Sequence, residues 1–148
     1  ILRILDHRLL ASTSHTPVSV IMADLDNFKD INDTHGHLVG DAVLKDTTNR
    51  MRSTIRWVNV IGRYGGEEFL IVLNETTAKH AANIAERIRH RIAAQPIKTH
   101  DRTIPLTLSL GVAQALPNER PLDVVDRADK ALYVAKNKGR NCVEISTA

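Results

Sequence analysis

The chain has 148 residues, 43% of them hydrophobic and 25% charged, with a formal net charge of +3. That length builds one domain with a proper core and leaves no room for two comfortable ones. Apolar runs are strand-sized, aromatics make up only 3% of residues and the basic side chains are scattered, so neither membrane contact nor a nucleic-acid partner is expected.

In chain order, residues 1–14 read as a helix with Leu2, Leu5, Leu9 and Leu10 on about one face, broken at Pro17. Val18 to Ala23 is a continuous apolar run of strand length that ends at Asp24-Leu25-Asp26. Phe28 to Thr34 follows as a short helix, and Gly36 with Gly40 marks an irregular turn. Leu44, Thr48, Met51 and Ile55 then recur at helical spacing over 40–56. Val58-Asn59-Val60-Ile61 and Phe69-Leu70-Ile71-Val72-Leu73 read as two strands, and Gly65-Gly66 between them predicts a tight hairpin with both glycines at positive φ.

Residues 77–94 make the clearest amphipathic helix, with Ala81, Ile84, Ala85, Ile88 and Ile92 on one face, ended by Pro96. Leu106 to Ala115 is a strand, expected to pair with the segment around Lys98 to Ile104. Pro121 opens a helix carrying Val125, Ala128, Leu132 and Ala135, with Gly139 at its C′ position and a last strand over Cys142 to Ile145. Strand, two helices, hairpin, helix, strand, helix, strand is the order of an α/β or α+β sheet with helices packed on it. The single cysteine, Cys142, excludes an internal disulfide, fits a reducing compartment and reads as a small buried hydrophobe rather than a nucleophile. No signal peptide is visible, and the start at Ile1 suggests a segment of something longer.

Chemistry concentrates at three places. Arg63-Tyr64-Gly65-Gly66-Glu67-Glu68-Phe69 sets two carboxylates beside a hairpin tip bare of side chains, where a large ligand can approach the backbone. Carboxylate oxygens suit Mg²⁺, which is normally shared with substrate phosphates. A solvated surface hairpin is the plain alternative. Asp24 and Asp26 lie at alternate positions of a strand end, point to one side and repel unless a cation is present. Alternatively, both cap the following helix.

Asn32 and Asp41 offer an amide and a carboxylate, a pair suited to guanine, whose ring N–H and amino group Asp41 can accept; the alternative for each is a cap or turn. Lys136 and Arg140 near a helix C-terminus either complement its dipole or hold phosphates.

Together these segments resemble the GGDEF domain of bacterial diguanylate cyclases, here with a Gly-Gly-Glu-Glu-Phe signature, over about Val18 to Val143. The resemblance is carried by Asp24 to Lys29, Asn32-Asp33, Gly36 to Asp41, Arg63 to Phe69, Ser109 to Val112, Arg127 to Asp129 and Lys136 to Asn141. It implies a palm-like, ferredoxin-like or nucleotidyl-cyclase-like fold, with a mostly antiparallel sheet flanked by helices over residues 18–148 and a helical lead-in over 1–17. It also implies condensation of two GTP into cyclic di-GMP with release of pyrophosphate, with two Mg²⁺ (or Mn²⁺) per site. By position, Asp24, the Leu25 carbonyl and Glu67 would bind metal, with Glu68 a further ligand or the base for the 3′-hydroxyl. Lys29 would meet the charge of the reacting phosphate. Asn32, His37 and Asp41 would hold the nucleoside, Gly65 and Gly66 would admit it, and Lys136 with Arg140 would bind the terminal phosphates.

Ring closure needs a second copy of the domain, and sensory or dimerising input would come from outside this chain. A cytoplasmic domain is implied, in a parent protein that could be membrane-anchored. A catalytically inactive domain that binds GTP or a protein partner is the competing reading. Two departures stand out. Where many relatives carry an inhibitory Arg-x-x-Asp, this chain has Arg56-Trp57-Val58-Asn59, so that site is expected to be degenerate. Leu2 to Arg8 matches only loosely the family's entry segment.

Overall fold

The computed structural model describes residues 1–147; Ala148, the end of the expected domain, lies outside them. Its elements are α1 (Leu2–Ala11), β1 (Ser19–Leu25), α2 (Phe28–His35), α3 (His37–Arg52), β2 (Val60–Arg63), β3 (Glu68–Leu73), α4 (Ala78–Ala94), β4 (Ile97–Thr99), β5 (Arg102–Ile104), β6 (Leu108–Gln114), α5 (Pro121–Asn137) and β7 (Val143–Ile145). Five strands form one sheet in the order β2-β3-β1-β6-β7, antiparallel except for the β6–β7 pair.

β1 is the central strand, and every residue of it is buried. Helices cover both faces of the sheet, which is why its sequence is a continuous apolar run rather than an alternating one. Its side chains still divide by parity. Ile21, Ala23 and Leu25 join the core shared with α2, α3 and α4, whereas Val20 and Met22 join Val124, Ala128 and Leu132 of α5 and Leu5 of α1. Gly111 on β6 fixes how closely α5 can lie, since a Cβ there would stand 2.1 Å from the Ala128 carbonyl oxygen.

Four expectations need correction. The second helix of the pair begins at His37, so Gly40 lies inside α3 rather than in a turn. A Cβ at Gly40 would fall 1.8 Å from Asn32 Oδ1, so glycine here lets α2 and α3 approach. The segment 97–104 does not pair with β6, both of whose edges are taken by β1 and β7. It folds on itself as the β4–β5 hairpin, with His100 and Asp101 at φ 49° and 63°, the left-handed pair of a two-residue turn.

The Gly65-Gly66 connection is not such a turn. Tyr64 to Glu67 separate the strands, and neither glycine takes a positive φ. On α1, Leu5 is the buried residue and Leu10 is 80% exposed, so the helix docks by a narrower stripe than its leucines suggest. By contrast, Gly139 takes φ 113° just beyond α5, as its C′ position requires. Cys142 is half-buried, with its thiol against the Ala135 carbonyl. Among the described residues, no helix is long and apolar enough to cross a membrane.

Candidate active site

The site forms where β1 runs out beside β3. Asp24 stands opposite Glu68 on β3 and Ser109 on β6, and directly opposed residues of an antiparallel pair share a face. That face is the one covered by α5, so Lys136 reaches it from the last turn of the helix. Its ammonium lies 3.1 Å from Asp24 Oδ2 and 3.9 Å from Asp26 Oδ1. Asp24 Oδ1 is buried without a hydrogen-bond partner. Burial pushes the Asp24 carboxyl up to about 6 against the opposing pull of Lys136, with Glu67 and Glu68 adding to the rise. The Glu68 carboxyl is also held above its usual range, by burial first and then by Asp129 of α5 and Glu67.

Asp26 plays another part. Its carboxylate accepts from Thr107 Oγ1 at 2.7 Å, Ser109 Oγ at 2.6 Å and the Asn141 amide at 3.0 Å. It neither caps α2, whose N-cap is Asn27 in a left-handed conformation with no side-chain bond, nor keeps an oxygen free for a ligand. Asp26 staples β1 to β6 and to the turn that carries Arg140. The sequence signalled only a pair of acids, and the partners that separate their roles lie 81 to 115 residues away.

The hairpin tip is held by its own arginine. Arg63 donates through Nε to the Gly66 carbonyl at 2.9 Å and through Nη2 to the same oxygen at 2.5 Å. The Tyr64 amide donates to the Glu68 carbonyl at 2.8 Å, and the Glu67 carbonyl accepts from the Leu25 amide at 3.3 Å. An added Cβ at Gly65 would come no closer than 3.7 Å to any side chain, and at Gly66 it would meet nothing within 4 Å. With no positive φ and no clash at either position, the fold itself makes no demand for glycine there.

On the α3 side a cleft of about 500 Å³ opens between α3 and β2, lined in part by Asp41, Leu44, Ile61, Arg63 and Phe69. Asn32 lies against Gly40, one residue from Asp41, and its Oδ1 is buried without a partner. Lys29 and His37 are exposed at the starts of α2 and α3, and Arg140 is exposed in the turn after α5. Arg56 is exposed as well, while Asn59 Oδ1 accepts from the Asn74 amide at 2.9 Å and so serves the fold.

Among the described residues no three carboxylate, imidazole or thiol side chains converge as a ready-made metal cage. Mg²⁺ does not ask for one, because it keeps waters and shares its shell with substrate phosphates through one or two carboxylates. A buried carboxylate with an orphaned oxygen, next to two further acids, fits that demand.

A five-stranded, mostly antiparallel sheet flanked by helices, with acids at the ends of adjoining strands, is the palm-like architecture of nucleotidyl cyclases. Residues 2–142 match the family model "Diguanylate cyclase, GGDEF domain", and the chain belongs to that family. It is 43% identical over 130 residues to diguanylate cyclase A of Treponema denticola, covering 87% of this chain and 35% of that protein. With the diguanylate cyclase DosC of Escherichia coli it shares 40% identity over 136 residues, covering 91% and 30%. The chain thus spans about a third of the length of these curated relatives. Among solved structures, the GGDEF domain of DgcB from Caulobacter crescentus in complex with c-di-GMP superposes with a TM-score of 0.92 at 31% identity, covering 99% of this chain and 88% of that one.

Proposed function

We propose that this chain is the catalytic domain of a diguanylate cyclase, which joins two GTP into cyclic di-GMP and releases two pyrophosphates. The observation that carries the reading is the pairing of Asp24, with its orphaned buried oxygen, and Glu68 on adjoining strands beside two glycines that the fold does not require. A glycine that the chain does not need for itself is explained by what comes close to it from outside.

In this reading Asp24, the Leu25 carbonyl and Glu67 hold divalent metal, with Glu68 a further ligand or the acceptor of the 3′-hydroxyl proton. When bound, Mg²⁺ or Mn²⁺ lowers the pKa of the attacking hydroxyl and neutralises the leaving pyrophosphate. Burial, then Asp129 and Glu67, hold the Glu68 carboxyl above its usual range in the metal-free chain. Asn32 and Asp41 read the guanine, His37 contacts the nucleoside, Lys29 offsets the charge growing on the reacting phosphate, and Lys136 with Arg140 holds the β- and γ-phosphates. Gly65 and Gly66 clear the approach of the nucleotide.

One domain holds one GTP, so a second copy related by a two-fold axis supplies the other half of the ring. Asn59, lacking the anionic oxygen of an aspartate and engaged with Asn74, leaves Arg56 without the partner that an inhibitory product site uses. Incubating a concentration series of the chain with GTP and Mg²⁺ tests the proposal. Cyclic di-GMP should form at a rate that rises faster than linearly with protein concentration. GTP that binds tightly but never turns over, even at high concentration, would instead make the chain a nucleotide-binding module.

A further inference from the structure

The Lys136 side chain faces two competing demands. Its ammonium is the cation seated on Asp24, at 3.1 Å, on the carboxylate whose other oxygen is buried and unpartnered. The same ammonium is the group proposed for the terminal phosphates. Asp26, 3.9 Å away, does not need it as a partner, because Thr107, Ser109 and the Asn141 amide already hold both its oxygens.

A divalent ion entering at Asp24 on its own meets a positive charge already in place, and like charges at that range oppose each other. A triphosphate changes the balance. It offers the ammonium several anionic oxygens, and lysine's flexible four-carbon stem lets the charge swing to them. Asp24 then loses its counter-ion as the phosphates bring the metal.

We infer that Lys136 couples metal entry to nucleotide binding, sealing the Asp24 carboxylate in the nucleotide-free chain and releasing it when phosphate takes the ammonium. The inference rests on the reading of Asp24 as a metal ligand and of Lys136 as a phosphate contact. Its consequence runs against intuition: deleting a cation that helps bind GTP strengthens the binding of metal alone.

The test is titration of the nucleotide-free chain with Mn²⁺, followed by the electron paramagnetic resonance of the free ion. Lys136→Ala should bind Mn²⁺ about tenfold or more tighter than the parent chain, through loss of the adjacent like charge. Lys136→Arg, which keeps the charge, and Lys138→Ala, which removes a charge paired with Glu144 instead, should stay within about twofold of it. Adding Asp24→Asn to Lys136→Ala should abolish the gain.

Binding of a non-hydrolysable GTP analogue with Mg²⁺ should weaken in Lys136→Ala, so that the two affinities move in opposite directions. Should Lys136→Ala not fold, Lys136→Gln carries the same comparison. Unchanged Mn²⁺ affinity in a folded variant overturns the inference, as does equal tightening in Lys138→Ala, which would assign the effect to net charge. The titration contains no GTP. A parent chain that makes no cyclic di-GMP yet shows the Lys136→Ala gain sinks the proposed function alone, and the converse sinks only the coupling.

Discussion

Gly66→Ala separates a glycine needed by the fold from one needed by a ligand. Gly66 takes no positive φ, and a Cβ built there meets nothing within 4 Å. At such a position alanine reduces the entropy of the unfolded chain, which stabilises a protein by about 0.4–1 kcal/mol. For a domain of this size that corresponds to a melting temperature unchanged or raised by roughly 1–4 °C. The methyl group would still stand where the nucleotide is proposed to approach, and a displacement of about 1 Å near the reacting atoms costs on the order of 10²-fold in rate.

Gly111→Ala supplies the contrast. Its Cβ would lie 2.1 Å from the Ala128 carbonyl oxygen and 2.3 Å from the Leu132 amide nitrogen, backbone atoms of α5 that cannot swing aside. Overpacking of that kind costs about 1–3 kcal/mol or more. Thermal melts followed by circular dichroism, together with initial rates of cyclic di-GMP formation, read both variants. Gly66→Ala that melts several degrees lower would refute the argument that the fold makes no demand there. Gly66→Ala with full activity would refute the proposed approach of the nucleotide.

Three further outcomes are expected. Asp26→Ala leaves two hydroxyls and the Asn141 amide without their buried acceptor and should cost about 3 kcal/mol in urea unfolding, since charged hydrogen bonds are worth about 1.5–3 kcal/mol each but do not add in full; a loss below about 1 kcal/mol would mean that it is no staple. Gly40→Ala must displace the Asn32 amide, because its Cβ would fall 1.8 Å from Oδ1; if Asn32 reads the base as proposed, KM for GTP should rise about tenfold or more while discrimination against ATP falls, and an unchanged KM would remove Asn32 from the base site.

Glu119 gives the pH dependence. Burial pushes its carboxyl up, but hydrogen bonds from Arg127 and the Leu116 amide outweigh burial and hold it below the ordinary 4.5. A depressed acid adds stability that is present above its unfolded pKa and lost as pH falls through the folded one. The stability gap between the parent chain and Glu119→Gln, measured by denaturant unfolding, should therefore be full at pH 7 and close as pH drops below 4.5; a constant gap would assign the Glu119 contribution to packing rather than charge.

Most elements were legible because each is set by its own periodicity. α4 spans Ala78–Ala94, within a residue of the expected 77–94, and α5 shows both its opening Pro121 and its closing Gly139. Misreadings arose where the deciding contact is remote. Residues 97–104 have the composition of a partner for β6, and only the occupation of both β6 edges by β1 and β7 turns them back on themselves. Gly40 read as a turn because glycine in a helix carries a cost, and the compensating contact with Asn32 belongs to another helix. Leu10 matched the spacing of its neighbours, but α1 fully buries only Leu5, with Leu2 and Leu9 half-buried against the same core cluster.

The acids show the same division on the scale of the site. Asp24 and Asp26 differ little in sequence: each ends the same apolar run, and each is buried. One has both its oxygens engaged by hydroxyls and an amide from distant parts of the chain, and the other has a single lysine and an orphaned oxygen. A buried carboxylate without full satisfaction costs stability. In the proposed reading, the partner that Asp24 lacks and Asp26 does not need is a divalent metal from outside the chain. The two glycines at the hairpin tip follow the same logic in reverse, with space left where the fold could have placed a side chain. A surface optimised for stability alone would have filled the one and paired the other, and both departures lie at the same end of the sheet.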